Sequence, residues 1–387
     1  MAQASVFHQV IKLISRTDFE ASVHRHNGNR GTRQLDCWTW FGSLLFGQLT
    51  GHDSIRAIER TFCHGRLKME KLGFSGVCRS TLADANKVRP LEILEDTFKT
   101  ILRRTKTLCP SKHGFRFKGD VYALDATIID LCLSLSPWAN FRKGTAGVKL
   151  HTAIDLAGEL PDIAVVTPAK SHDVPVAEKY FHFNPGATVI VDRGYWCARW
   201  FNHLNKNGVF FVTRARRNNR FKAVESRPTD RTQGYICDQI VYQKSISHPY
   251  SPKFEGRLRR ISFNDPDTGK RLTFITNRFD LATSTICALY KARWRVELFF
   301  KALKQNLKIK KFLGTSAHAV KAQILVALIA YLLVQMIRFI TKSRVSNPDA
   351  MAVIGTLVLL NEPLARLLGS LPRVTRHPPS TQLSLAI

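Results

Sequence analysis

Residues 120–133 read DVYALDATIIDLCL. The run is rich in β-branched and aromatic side chains and has no helical period, so it predicts a strand leading into a second one. One acid, Asp125, lies among apolar neighbours. A carboxylate in an apolar strand is costly unless it is paired or bound to a cation. The same stretch therefore sets the fold class and points to chemistry. Downstream, GVKLHTAIDLAG (147–158) and LPDIAVVTPA (160–169) are separated by a turn at Gly158 and predict mostly antiparallel pairing. VPVAEKYFHF (174–183) reads as a short helix. ATVIVDRGY (187–195) is a buried strand ending in a charged turn at Asp192. YWCARWFNHLNKNG (195–208) is a helix stopped by Gly208, and VFFVTRAR (209–216) is another strand. The order β-β-β-α-β-α-β is that of a mixed α/β sheet with a ribonuclease H-like arrangement.

Upstream, residues 1–114 predict an all-helical N-terminal domain that binds DNA. VFHQVIKLIS, LDCWTWFGSLLFGQL, SIRAIERTF and LEILEDTFKTILRRT repeat apolar residues every three or four positions, and Asp53 or Ser54 is placed to cap the third. GVCRSTLADANKVRP (76–90) fits the second helix of a helix-turn-helix and fits an ordinary surface helix equally well. Residues 115–345 predict the catalytic core. Within it, about 215–280 read as a β-rich insertion: ICDQIVYQKSI, LRRISFN and KRLTFITNR alternate like strands, with DPDTGK as a hairpin turn. An apolar helix over 316–341 is expected to pack on the sheet. Residues 346–387 predict a frayed tail.

Charge narrows the partner. The 387 residues hold 58 Lys+Arg against 29 Asp+Glu, a formal net charge of +29, and all three thirds of the chain are basic. Phosphate contacts release counterions, so this excess points to double-stranded DNA. The eight cysteines form no CxxC, which argues against a zinc ribbon or a disulfide framework and for a reducing cytoplasm. The N-terminus has no long apolar segment of the signal-peptide kind. The most apolar run, Ile324–Ile337, is shorter than the roughly 20 residues that span a bilayer, so a core helix and no membrane role are expected.

A helix predicted over 283–307 supplies the third acid. It carries Tyr290, Arg293, Glu297 and Lys304, whose offsets return to one face at about 100° per residue. A carboxylate between an aromatic hydroxyl and two cations suits phosphate binding beside a metal ion. If the first strand is central and the 188–191 strand lies beside it, Asp125 and Asp192 meet, and the helix can bring Glu297 to them. Clustered carboxylates call for hard divalent cations, Mg²⁺ or Mn²⁺. Two such ions would serve phosphodiester chemistry. Asp130 and Asp155 also lie near strands and could join the site or cap turns. Arg193 could pair with Asp192 or touch DNA. His151 and His172 read as core or loop histidines, and Trp294 as a core residue.

These residues resemble the bacterial DDE transposases of the insertion-sequence IS-four family. Tyr290-x-x-Arg293-x-x-x-Glu297-x-x-x-x-x-x-Lys304 has the spacing of that family's Y-R-E-K signature, and LDATIID and VDRGYW are similar to its two aspartate motifs. The resemblance covers roughly residues 115–340 and implies that Asp125, Asp192 and Glu297 bind the metals. It implies that Tyr290, Arg293 and Lys304 hold phosphates near the transposon end. It further implies 3′-strand hydrolysis, a hairpin made by the freed 3′-hydroxyl, joining to target DNA, and a homodimer on paired ends in the bacterial cytoplasm, associated with the nucleoid. Trp196, Trp200 and aromatics of the insertion are candidates for stacking a flipped base. A catalytically silent DNA-binding repressor or host factor, and a metal-dependent structure-specific nuclease, are the alternatives.

Overall fold

The computed structural model describes residues 4–109, 114–132, 136–142, 145–217, 219–244, 253–265, 269–305 and 312–369. Helices come first: α1 (Val6–Ile11), α2 (Arg16–Arg25), α3 (Cys37–Thr50), α4 (Ile55–His64), α5 (Arg66–Glu70), α6 (Arg79–Val88) and α7 (Glu92–Leu108). Ser54 caps α4, its hydroxyl accepting from the Ala57 N–H at 3.2 Å.

The strands are β1 (Val121–Leu131), β2 (Asn140–Arg142), β3 (Thr145–Asp155), β4 (Leu160–Pro168), β5 (Thr188–Val191), β6 (Phe210–Arg214), β7 (Phe221–Arg227), β8 (Tyr235–Gln243), β9 (Leu258–Asn264) and β10 (Arg271–Thr276). Helix α8 (Asp173–Tyr180) joins β4 to β5, and α9 (Ala198–Lys206) joins β5 to β6. All ten strands form one sheet in the order β2-β3-β1-β5-β6-β10-β9-β8-β7, with β4 on the outer edge of β3. β1 pairs antiparallel with β3; β1, β5 and β6 are parallel. Residues 121–131 form one strand rather than a strand leading into a second. The β-rich segment continues the same sheet: β10 pairs antiparallel with β6. The outer residues of DPDTGK close the β9–β10 hairpin through Asp265 N–H to Lys270 O and Gly269 N–H to Asp265 O, while residues 266–268 lie outside the described ones.

The helix expected over 283–307 is two helices, α10 (Thr283–Ala292) and α11 (Trp294–Gln305), with Arg293 between them; residues 306 and 307 lie outside the described ones. At the joint the hydrogen bonds tighten to i→i+3, Arg293 N–H to Tyr290 O and Val296 N–H to Arg293 O, a local 3₁₀ turn. A buried ion pair anchors the start of α10. Arg259 on β9 and Asp238 on β8 are 1% and 2% exposed, and Thr283 donates to Asp238 at 2.8 Å. Burial pushes the Asp238 carboxyl up, but hydrogen bonds from Arg259 and Thr283 outweigh it and hold the group below its usual range.

Helix α12 (Ala317–Ile340) is long and apolar enough to cross a membrane, yet 78% of its most apolar window is buried within the protein. It packs chiefly against α7 and α3 and only in part against β4. One apolar cluster therefore joins the N-terminal helices, α12 and one face of the sheet; a second lies on the other face with Trp196, Trp200 and Phe211. The tail expected from 346 includes two helices, α13 (Asn347–Thr356) and α14 (Leu364–Gly369); residues 370–387 lie outside the described ones. Their apolar residues Ala350, Met351, Ile354 and Leu364 join the same cluster, which a frayed segment would leave exposed.

His151 is a core histidine that is only half satisfied: Nε2 lies 2.9 Å from Thr167 Oγ1, while Nδ1 faces Asp173 at 3.4 Å without a hydrogen bond. Burial pushes its pKa down to about 4 against the pull of Asp173. Below pH 6.5 the unfolded chain takes a proton that the folded chain refuses until about pH 4, so stability falls as pH drops across that window. His151→Gln should flatten the fall, read from urea midpoints measured between those two pH values.

Candidate active site

The β1–β5 register sets the two aspartates. Ala123 pairs with Ile190, and β5 ends at Val191. The β1–β5 ladder ends at that pair, and both aspartates lie two residues beyond it, near enough that the Asp192 charge acts on Asp125. Asp192 opens a 3₁₀ turn, Arg193–Tyr195. Two missed residues support that turn. Arg216 donates to the carbonyls of Arg193 and Gly194 at 2.8 and 2.9 Å, and Thr213 donates to the Asp192 carbonyl at 3.3 Å. Their sequence context, a basic strand end, carried no signal for this role.

Arg293 reaches across from the α10–α11 joint. Its Nη1 donates to Asp125 Oδ2 at 2.9 Å and its Nη2 to Glu297 Oε1 at 2.6 Å. The structure thus links Asp125 to Glu297 through one guanidinium, with the Asp192 charge acting on Asp125. Burial raises the Asp125 carboxyl; the Ala126 N–H and Arg293 pull it back, and Glu297 and Asp192 add to the rise. Burial also acts on Arg293, downward, but Tyr290, Asp125 and Glu297 together hold it above its ordinary value. Tyr290 packs on Phe274 with ring centres 4.7 Å apart. Lys304 Nζ donates to Ile128 O on β1 at 2.8 Å, so all four residues of the stripe turn toward β1 and its neighbours despite the helix break.

Other expected residues lie elsewhere. Asp155 caps the turn after β3 by accepting from the Ala157 N–H, and Asp130 is exposed opposite Gly147. Arg193 is exposed, while His172 precedes α8. Trp196 and Trp200 are 8% and 1% exposed inside an apolar cluster, so stacking a base on them would unpack that core. Of the insertion's aromatics, Phe254 and Phe274 are buried and Tyr242 is exposed. Trp294, expected in the core, is 59% exposed beside Arg293, because the break turns it outward.

Among the described residues no three His, Cys, Asp or Glu side chains converge as a ready-made cation site. The space between Asp125 and Glu297 is held by Arg293. The residues nevertheless fit a hydrated divalent ion. All three acids offer oxygen donors, and one guanidinium neutralises only one of three negative charges. Three buried polar atoms around them, Tyr195 Oη, Thr152 Oγ1 and Arg293 Nε, have no hydrogen-bond partner. Tyr195 feels the charges of Asp173, Asp125 and Asp192.

Residues 116–333 match the family described as Transposase DDE domain. The chain belongs to the DDE transposases of bacterial insertion sequences. As a DDE transposase it is an enzyme that acts on DNA. A Sinorhizobium fredii protein named as a transposase is 30% identical over 70% of this chain and 75% of its own. A Geobacillus stearothermophilus protein named as a transposase of insertion sequence element IS5377 is 27% identical over 74% of each. Residues 2–75 of this transposase match a domain of unknown function (DUF4372). A solved piggyBac transposase synaptic complex with hairpin DNA aligns over 95% of this chain and 82% of its own, at 12% identity and a TM-score of 0.46.

Removing the guanidinium leaves two half-buried carboxylates facing each other. Arg293→Ala should destabilise the metal-free protein by about 1–3 kcal/mol. Added Mg²⁺ should then raise the melting temperature of the variant more than that of the wild type. Differential scanning calorimetry with and without Mg²⁺ reads both effects.

Proposed function

We propose that Asp125, Asp192 and Glu297 form the catalytic acid cluster with which this transposase cuts the ends of its insertion sequence and joins them to target DNA. The observation that carries this is the Asp125–Arg293–Glu297 chain, with the Asp192 charge acting on Asp125. The strand order β4-β3-β1-β5-β6, antiparallel and then parallel, supports a ribonuclease H-like core over about 115–345. The helical segment 1–114 is the matching candidate for recognising the terminal inverted repeats. The chain's charge of +29 favours double-stranded DNA as partner, and a homodimer on paired ends in the nucleoid-associated cytoplasm completes the reading.

The three acids would hold Mg²⁺ or Mn²⁺, two ions on this reading. When bound, they lower the pKa of an attacking water or 3′-hydroxyl and stabilise the leaving oxygen. The chain's own residues do the rest. Arg293 balances the acids in the absence of a cation and offers a planar fork to a strand phosphate once they are engaged. Lys304, three residues further along β1 at Ile128, supplies a point charge to the same strand. Tyr290 shields one side of Arg293 from water, its ring packed on Phe274. Arg193, exposed on the Asp192 turn, faces outward where DNA would approach.

Glu297→Gln keeps the shape and removes the charge. It should lower Mg²⁺-dependent nicking and strand transfer by about 10²–10⁴-fold while end binding persists. Strand transfer at the wild-type rate in a gel assay would remove Glu297 from the cluster. End binding with no cleavage by the wild type would favour the repressor alternative. Lys304→Ala should weaken end binding and reduce the salt slope of log Kd by about one; fluorescence anisotropy across a salt series measures it.

A further inference from the structure

A cleft of about 530 Å³ opens between α11, the end of α12 and the start of α13. It lies on the flank of α11 carrying Arg295, Leu298 and Lys301. At about 100° per residue, Leu298 is a quarter-turn from the Glu297 face. The cleft therefore lies around the side of α11 from the Glu297 face.

Three cations line it against two carboxylates, Glu159 and Asp349. Arg338 is a partly buried guanidinium whose bonds go to neutral groups, Val345 O at 2.7 Å and Gln335 Oε1 at 2.6 Å. No carboxylate lies within ion-pair distance of it among the described residues, and burial lowers its pKa. Arg295 donates to Leu156 O at 3.0 Å and reaches Glu159 only at 3.9 Å. Lys301 is exposed. Asp349 is occupied by the Ser346 hydroxyl. The polar side chain beside these cations is Asn347. It lines the cleft at the first position of α13, is 6% exposed, and interacts with the Tyr331 hydroxyl without a close hydrogen bond on Nδ2 or Oδ1. The nearby Tyr331 hydroxyl gives its proton to Glu159 O at 3.0 Å. An anion seated between a guanidinium and the Asn347 amide would accept from both the guanidinium and the amide Nδ2.

We propose that this cleft binds a backbone phosphate of a DNA strand running across α11 from the acid cluster, through Arg338, Lys301 and the Asn347 amide. The inference rests on the DNA-cutting reading above for the identity of the strand, but its contact is separate from the acids. Arg338 is the buried charge that holds one phosphate, Asn347 supplies a directed N–H, and Lys301 closes the outer side.

The test uses the full chain in EDTA, with duplex DNA of arbitrary sequence and, separately, inorganic phosphate. Anisotropy gives Kd across a salt series for the wild type, Lys301→Ala, Asn347→Asp and Lys222→Ala on the distant strand β7. Circular dichroism checks folding; Lys301 is exposed and carries no core packing. The proposal expects Lys301→Ala to reduce the salt slope by about one and Asn347→Asp, which adds a carboxylate in the same shape, to weaken binding several-fold, with Lys222→Ala unchanged. Unchanged slope and affinity in both cleft variants would overturn it, as would an equal loss in Lys222→Ala. Protection of the wild type by inorganic phosphate that Asn347→Asp abolishes, with DNA affinity unaltered, would mean a free-anion site and overturn the strand assignment. Glu297→Gln run alongside keeps the two readings apart: lost cleavage there concerns the acids alone, and a normal salt slope leaves the cleft standing.

Discussion

Two half-buried carboxylates, Asp125 and Glu297, share one guanidinium, and much of the arrangement around them follows from how their mutual repulsion is met. Arg293 is the answer in the metal-free chain. Its two bonds tie β1 to the first turn of α11, so the charge that relieves the acids also fixes the helix that carries one of them. With the Asp192 charge also acting on Asp125, a single guanidinium leaves a negative surplus there, on which the proposed binding of hard cations rests. The same group can thus serve as internal counter-ion and as phosphate ligand, because both uses present oxygen atoms to one planar fork.

The support for that contact comes from distant parts of the chain. The parallel β1–β5 pairing ends just before both aspartates, and the buried Arg259–Asp238 pair grips Thr283 at the start of α10. The β-rich segment is therefore not a loose appendage. It extends the sheet through β10 and holds the base of the helix pair. On the opposite face, α12 fills the space between the sheet and α3 and α7, so the N-terminal helices share a core with the catalytic segment. Movement of one part would disturb the packing of the other.

The site was partly legible because its chemistry is expensive. Asp125 stood out as a charge in an apolar strand, Asp192 as a charge ending one, and Glu297 as a carboxylate between cations at helical spacing. Arg216 and Thr213 were not legible, since a basic strand end and a threonine in a strand look ordinary until the turn they support is in place. Trp294 was misread for a related reason. A large aromatic on a helix is usually buried, even beside a polar stripe, but the tightened turn at Arg293 rotates it into solvent.

Local pattern alone determined the element types: strands from β-branched alternation, helices from three-and-four spacing, the cap at Ser54 and the stop at Gly208. These depend on side-chain periodicity and on backbone preferences that act over a few residues. Tertiary structure decided what depends on groups far apart in sequence: the joint that splits 283–307 into two helices, the burial of Trp196 and Trp200, the folding of 347–369 onto α3, and the pairing of Arg293 with Asp125 across 168 residues. A charge can be seen in the sequence, but its partner is chosen only when the chain brings opposite charges into one low-dielectric space.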